Sequence, residues 1–338
     1  MLEGAIIGFG NIAARGHLPA YLSDPLRSEL RIVAVADVAE QNRAKAREQL
    51  PEARLYSDID SLLEHEKISF VDICTPPSTH AGYLDACASR GLHIVCEKPL
   101  ADTHAAAGAA IAAIRKAEHV VFVPCHQYKY SPLWREVRAV ISAGTLGRIT
   151  LAQFNVFRLQ ADPASGGWMP GWRTNKAYSG GGILVDTGAH YLYLAQYFFG
   201  IPSKISAALR TLKHQGYGVE DTAVVSLEYT AMMMQLCLTW AADIRANSAF
   251  IAGTEGSLSY DGAKLVLSAG SGSKVIPMPD VSDKNQYVAW YAALLKEFVR
   301  RVETKNYSDD LLCEASTVMR LLDLCYRSSE QGKVLEYS

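Results

Sequence analysis

The sequence has no excess of charge of either sign. Its 33 lysines and arginines stand against 35 aspartates and glutamates, a net charge of -2 over 338 residues. No basic face of the kind that neutralises phosphates is implied, so nucleic acid is not expected as a partner. Long apolar runs are also absent. No stretch approaches the ~20 residues needed to span a bilayer, so no membrane partner is expected either. Among the seven cysteines no two form a CxxC pair, and an odd, scattered set reads as reduced thiols. The opening segment Met1 to Gly8 lacks the basic residues and the apolar run of a secretory signal. These absences together point to a soluble, cytoplasmic protein.

What is present has a clear rhythm. At roughly 100–200 residues per domain the length suits two domains. Up to Pro124, short β-branched runs alternate with alanine-rich helical stretches: Ala5-Ile6-Ile7, Ile32 to Ala36, Phe70 to Cys74, His93 to Cys96 and Val120 to Val123. Continuous apolar strands alternating with helices predict a parallel sheet covered on both faces, an α/β Rossmann domain over residues 1–124. From residue 125 to 338 the pattern changes. Closely spaced strands at Ile149 to Phe157, Ile205 to Leu209, Ala223 to Tyr229, Met233 to Trp240, Ala249 to Ala252 and Leu265 to Ser268 predict an open, mostly antiparallel sheet, with one face solvated or buried in an oligomer. Helices are expected around Trp134 to Ser142, Ile183 to Phe199, Val288 to Glu303 and Leu311 to Ser329. There is no internal repeat, and the one biased run is the Ser/Gly stretch from Ser268 to Ser273.

Chemistry enters at the strand ends. Gly8-Phe9-Gly10-Asn11-Ile12-Ala13 follows the first strand and opens a helix. There a first glycine permits a tight turn, a second lets backbone approach a pyrophosphate, and a small third residue allows close packing. Asp37 ends the second strand, where a carboxylate accepts from ribose hydroxyls and repels a 2′-phosphate; NAD is therefore favoured over NADP. Thr75, Pro76 and His80 follow the next strand, with His80 either beside the cofactor or a capping or packing group. Glu97-Lys98-Pro99 follows the one after, with Lys98 aimed at the nicotinamide side, a plain surface lysine being the other reading. Beyond three glycines at 180–182, Asp186 and His190 stand four apart and share a helical face. Histidine titrates near neutrality and suits proton transfer; a buried packing histidine and a metal pair are the other readings. No HExxH motif or Cys/His cluster supports the metal, and none is expected. Trp168, Trp172 and Arg173 either line a pocket for sugars or anions or pack their loop against the domain junction, with His126 and Lys129 as further pocket residues.

In this order and spacing, the glycine loop, Thr75-Pro76-Pro77-Ser78-Thr79-His80, Glu97-Lys98-Pro99, Gly171-Trp172-Arg173, the glycine triplet, Asp186 to His190, Glu220-Asp221-Thr222 and Gly253-Thr254-Glu255-Gly256 resemble the Gfo/Idh/MocA family of NAD(P)-dependent oxidoreductases. The resemblance implies a secondary alcohol or ketone of a sugar or cyclic polyol as substrate, held between the domains, and homo-oligomers built through the second sheet. It implies catalysis by Lys98, Asp186 and His190. His190 is then the general acid/base, Lys98 polarises the oxygen, and Asp186 positions the substrate and His190. Gly8, Gly10, Asn11, Ile12, Asp37, Thr75, Pro76, His80, Glu97 and Lys98 are expected around NAD. Lys98, His126, Lys129, Trp172, Arg173, Asp186 and His190 are expected around the substrate. Other outcomes consistent with the resemblance are an NAD-dependent glycoside hydrolase that retains its cofactor and a non-catalytic nucleotide-sensing regulator. Two departures from the family pattern stand out. Tyr193 occupies a position where many relatives carry aspartate, and Lys129 one where many carry arginine.

Overall fold

The structure is a computed structural model that describes residues 1–162, 171–281 and 283–337. Six parallel strands form the first sheet: β1 (Leu2–Ile7), β2 (Leu30–Ala36), β3 (Arg54–Tyr56), β4 (Phe70–Ile73), β5 (His93–Cys96) and β6 (Phe122–Pro124), in the order β3-β2-β1-β4-β5-β6. Val71, Ile73, Ile94 and Val95 are fully buried, as strands covered on both faces require. Helices connect the strands, among them Pro77–Ala88 and His104–Lys116, the latter capped by the Thr103 hydroxyl on the Ala106 N–H. Strand order reverses between β1 and β4, and the crevice at such a switch point is where doubly wound sheets bind ligands.

The second sheet has nine strands. They are β7 (Ile149–Phe157), β8 (Lys204–Arg210), β9 (Thr222–Glu228), β10 (Met233–Thr239), β11 (Ala246–Gly253), β12 (Gly256–Tyr260), β13 (Lys264–Ala269), β14 (Gly272–Pro277) and β15 (Leu335–Glu336). Their order is β14-β13-β12-β11-β7-β10-β9-β8-β15, antiparallel throughout except where β7 and β10 run parallel. Burial alternates with period two. Ala152, Phe154 and Val156 point into the core, whereas Leu151, Val224, Met233 and Phe250 stand exposed on the other face. The Ser/Gly stretch 268–273 is the tight link from β13 to β14, one of the strands the sequence pattern did not announce.

Two late helices tie the sheets together. Tyr287–Glu303 returns to the first sheet and buries Tyr291, Leu294, Leu295 and Phe298 against Ile6, Phe9, Val35 and Phe70. Asp310–Gln331 packs against β6 and the His104–Lys116 helix on one side, and against β8 and the Ala189–Phe199 helix on the other. The second sheet is thereby docked at the carboxyl ends of β1, β4 and β5, and a cavity of about 1280 Å³ opens between them.

Candidate active site and nucleotide cavity

The nucleotide end of this cavity is built by backbone. Gly8 takes φ +89, and its N–H donates to the Ala36 carbonyl at 2.7 Å. A Cβ there would sit 2.6 Å from Thr75 Cγ2, so no other residue fits without displacing the next strand end. Gly10 is the opposite case: a Cβ would meet nothing within 4 Å, because this face of the loop opens into the cavity. The helix that follows begins at the cavity wall, where N-terminal N–H groups favour a pyrophosphate. Asp37 Oδ2 accepts from the Phe9 N–H at 2.7 Å and from Asn42 Nδ2 at 2.9 Å, while Oδ1 accepts from the Ala39 N–H at 2.8 Å. The carboxylate thus locks the phosphate loop to the end of β2 and lines the cavity there. The cavity exceeds the roughly 300–1,000 Å³ of a single small-molecule site, which leaves room for a dinucleotide and a second ligand. The residues present fit NAD.

At the other end stand the catalytic candidates. Lys98, in the loop after β5, donates from Nζ to the Asp186 backbone carbonyl at 2.5 Å, joining segments 88 residues apart. The glycine triplet explains how that approach is made. A Cβ on Gly180 would lie 2.2 Å from the Asp102 carbonyl oxygen, and one on Gly182 would lie 1.9 Å from that of Glu220. The chain therefore presses between the β5 loop and β9 before a wide π-helical turn, Leu184–Gly188, presents Asp186. Asp186 Oδ1 accepts from Arg173 Nε at 3.1 Å. Burial alone would raise its carboxyl, but the Lys98 ammonium and the Arg173 guanidinium outweigh that and hold it below the usual carboxylate range.

His190 lines the same cavity and is 7% exposed. Burial first, then the positive charge of Lys98, pushes its pKa well below the ordinary histidine value, so the ring is neutral at pH 7. The Tyr128 ring lies on it at 4.2 Å between centroids, 9° from parallel. Nδ1 is 2.8 Å from the Tyr193 hydroxyl. Trp172 and Arg173 also line the cavity, with the guanidinium over the indole at 4.4 Å from its centroid. Trp168 lies outside the described residues.

Of the expected nucleotide residues, Gly8, Gly10, Asn11, Ile12, Asp37, Thr75, Pro76, Glu97 and Lys98 line the cavity. Three expected site residues do not. His80 is fully buried behind the wall, each ring nitrogen 2.8 Å from a carbonyl oxygen, of Pro99 and of Thr75. It ties the β4 and β5 loops together. His126 and Lys129 turn instead toward Glu314 on the Asp310–Gln331 helix: Lys129 Nζ donates to both carboxylate oxygens, at 2.8 and 2.9 Å. Burial keeps His126 below its usual pKa, so Lys129 supplies the counter-charge while His126 donates Nδ1–H to Glu314 at 2.5 Å. Their place behind the wall follows from a partner far along the chain.

The sequence reading missed His17, Tyr291 and Arg158. His17 is fully buried between Asp72 (2.7 Å) and Glu97 (3.0 Å), and the Tyr291 hydroxyl donates to the same Glu97 oxygen. These spacings are hydrogen bonds, and they account for the one place among the described residues where His, Cys and acidic groups converge. Arg158 follows β7 and lines the cavity, held by the carbonyls of Phe157 and Ala246 and by Asn247 Oδ1. A cation one residue beyond the end of β7 was the available signal.

The comparisons agree with this architecture. The sequence pattern described as oxidoreductase family, NAD-binding Rossmann fold, matches residues 2–124, and that of the GFO/IDH/MocA C-terminal domain matches residues 134–259. D-glucoside 3-dehydrogenase of Escherichia coli is 25% identical over 99% of this chain and 97% of its own length. Levoglucosan dehydrogenase of Pseudarthrobacter phenanthrenivorans is 30% identical over 62% of this chain and 53% of its own length. A solved levoglucosan dehydrogenase in complex with NADH and levoglucosan superposes with a TM-score of 0.86, covering 99% of each chain at 22% identity. Among the described residues no helix is long and apolar enough to cross a membrane. The chain belongs to the GFO/IDH/MocA family of oxidoreductases, with NAD as its cofactor.

Proposed function

We propose that this oxidoreductase interconverts a secondary alcohol and the corresponding ketone of a sugar or cyclic polyol derivative, using Lys98, Asp186 and His190. The observation that carries this reading is their convergence. Lys98 is bonded to the Asp186 carbonyl, and both share with His190 the end of one cavity opposite Asp37. Bound NAD supplies the two-electron redox chemistry. Gly8, Gly10, Asp37 and Thr75 would hold it, with residues 1–124 carrying the nucleotide and 125–338 the substrate side. Lys98 and His190 bring two nitrogens to the reacting oxygen, and Asp186 with Arg173 offers a fixed ionic pair to neighbouring hydroxyls. Trp172 supplies an apolar face for a sugar ring. The sugar dehydrogenases among the relatives support the substrate class.

The exposed face of the second sheet, with Leu151, Val224, Met233 and Phe250, is proposed to carry homo-oligomers. All seven cysteines are free, five of them buried, in keeping with a cytoplasmic protein. The direct experiment is a panel of sugars, glycosides, inositols and sugar acids, scored by reduced-nicotinamide absorbance with NAD and NADP in parallel. Lys98→Gln is expected to lose about 10²–10⁴-fold in kcat with NAD affinity retained. Turnover unchanged by that substitution would remove Lys98 from the chemistry.

A further inference from the structure

We infer that Tyr193 fixes His190 as a hydrogen-bond donor to the substrate oxygen, so that Lys98 and not His190 takes the proton of the alcohol. The inference rests on the dehydrogenase reading above and concerns how its two nitrogens divide the work. It also reverses the expectation that His190 acts as the base.

The argument follows the protons. The Tyr128 backbone N–H donates to the Tyr193 phenolic oxygen at 3.1 Å. That oxygen also lies 2.8 Å from His190 Nδ1, and both groups are buried. With a backbone donor already bound to its oxygen, Tyr193 satisfies its own hydroxyl hydrogen by giving it to Nδ1. A neutral imidazole carries one N–H. If Nδ1 accepts, the hydrogen is on Nε2, and Nε2–H faces the cavity as a donor with no lone pair to receive a proton. The opposite tautomer would place two N–H donors on the Tyr193 oxygen and strand its hydroxyl hydrogen in a buried setting, which costs about 1–3 kcal/mol.

An aspartate at 193 would impose that opposite tautomer, because an ionised carboxylate only accepts. It would hold Nδ1–H and leave Nε2 basic. Tyrosine reverses the polarity of the ring. The second tier holds the arrangement in place: the His126 ring stacks on Tyr193 at 4.1 Å, 18° from parallel, as Tyr128 does on His190. His126 is in turn fixed by Glu314. Tyr193 is thus a positioning residue, clamped on both faces of the pair. In the reduction the Lys98 ammonium gives a proton to the carbonyl oxygen as the C=O bond becomes a C–O–H. The carbon takes the hydride that bound NADH would supply, and His190 Nε2–H stabilises the developing oxyanion. The oxidation is the reverse, the proton of the alcohol returning to Lys98 Nζ.

The decisive experiment needs no substrate. Long-range ¹H–¹⁵N correlation spectra of the ¹⁵N-histidine-labelled protein, with His190 assigned by substitution, are expected to show the Nε2–H tautomer in the wild type. Tyr193→Asp is expected to switch it to Nδ1–H. Tyr193→Phe keeps the ring against His126 and is expected to move the Nδ1 resonance downfield as its donor disappears. A wild-type Nδ1–H pattern would overturn the inference. So would spectra that neither substitution changes. The activity arm uses any sugar the panel identifies. His190→Gln, whose amide donates but cannot take a proton, should keep kcat within about tenfold of the wild type, against a 10²–10⁴-fold loss for Lys98→Gln. Equal losses would return the base role to His190. Failure of the whole panel would count against the substrate reading while the spectra still decide the tautomer.

Discussion

His17 Nε2 lies 3.0 Å from Glu97 Oε1, which links the helix after the phosphate loop to the residue preceding Lys98. The same ring reaches Asp72 through Nδ1 at 2.7 Å, and the Tyr21 hydroxyl donates to that carboxylate at 2.9 Å. Both ends of the working cavity therefore hang on one buried imidazole. Any shift of His17 moves the nucleotide loop and the lysine together.

Stability should carry the signature of that ring. Burial opposes the His17 charge, but the Asp72 carboxylate and its hydrogen bond overcome this and raise the pKa well above the usual value. A raised histidine contributes fully below its unfolded pKa of about 6.5 and loses the contribution as pH climbs through the folded value. His17→Gln breaks a buried ionic network and is expected to cost about 3–5 kcal/mol at pH 6. The deficit should narrow as pH rises past neutrality. Urea unfolding of both proteins from pH 6 to 10 measures it, and a deficit independent of pH would show that His17 is not charged.

Gly8→Ala tests the nucleotide loop. The substitution forces an alanine to φ +89 and brings its Cβ against Thr75 and the Cys74 carbonyl. The left-handed backbone alone costs roughly 1–2 kcal/mol, so the NAD dissociation constant is expected to rise about tenfold or more, with a lower melting temperature. Titration of protein fluorescence with NADH reads the first effect. An unchanged constant would place the pyrophosphate elsewhere.

Much of this was legible in the chain itself, for definable reasons. β1, β2, β4 and β5 announce themselves because strands buried on both faces read as nearly continuous apolar runs, the buried Asp72 of β4 being held by His17 and Tyr21. Lys98, Asp186 and Asp37 stand at strand ends or beside glycines that only close approach explains. β3, β12, β14 and β15 were not legible: β3 and β15 are short and at sheet edges, β12 is five residues of mostly small polar side chains around Leu258, and Lys274 and Val275 of β14 are largely solvated. His80, His126 and Lys129 were placed in the cavity because they follow strands that end there. Which way a side chain turns depends on partners that sequence order conceals. Glu314 lies 185 residues beyond Lys129, and nothing local marks it as a counter-ion.

That ion pair gives a second pH test. Burial would raise the Glu314 carboxyl, but the His126 hydrogen bond and the Lys129 charge bring it down to about 2. A lowered carboxyl stabilises the fold above its unfolded pKa of about 4.3, and the contribution is lost as pH falls toward the folded value. Glu314→Gln is expected to destabilise by roughly 3 kcal/mol at pH 7, since it leaves the Lys129 ammonium buried without a counter-charge. The two proteins should converge only as pH falls through about 2. Chemical denaturation across that range measures the convergence, and a constant gap would mean that Glu314 does its work as a packing group.

Asp37 is the residue proposed to set cofactor choice. It lines the cavity at the end of β2, where the ribose of a bound dinucleotide is expected and a 2′-phosphate would meet like charge. The nearby cation offers no relief: Arg43 is spent on the carbonyls of Asp37 and Val38 and on the Glu40 carboxylate. Replacing Asp37 with Ser removes the repulsion together with the clamp on the Phe9 N–H. NAD affinity should therefore fall about tenfold, while NADP affinity stays level or improves. A tenfold change corresponds to 1.4 kcal/mol, within the range of one lost charge-assisted hydrogen bond. Parallel titrations with NADH and NADPH decide the matter. If the substitution leaves the ratio of the two constants unchanged, Asp37 braces the loop without reading the ribose.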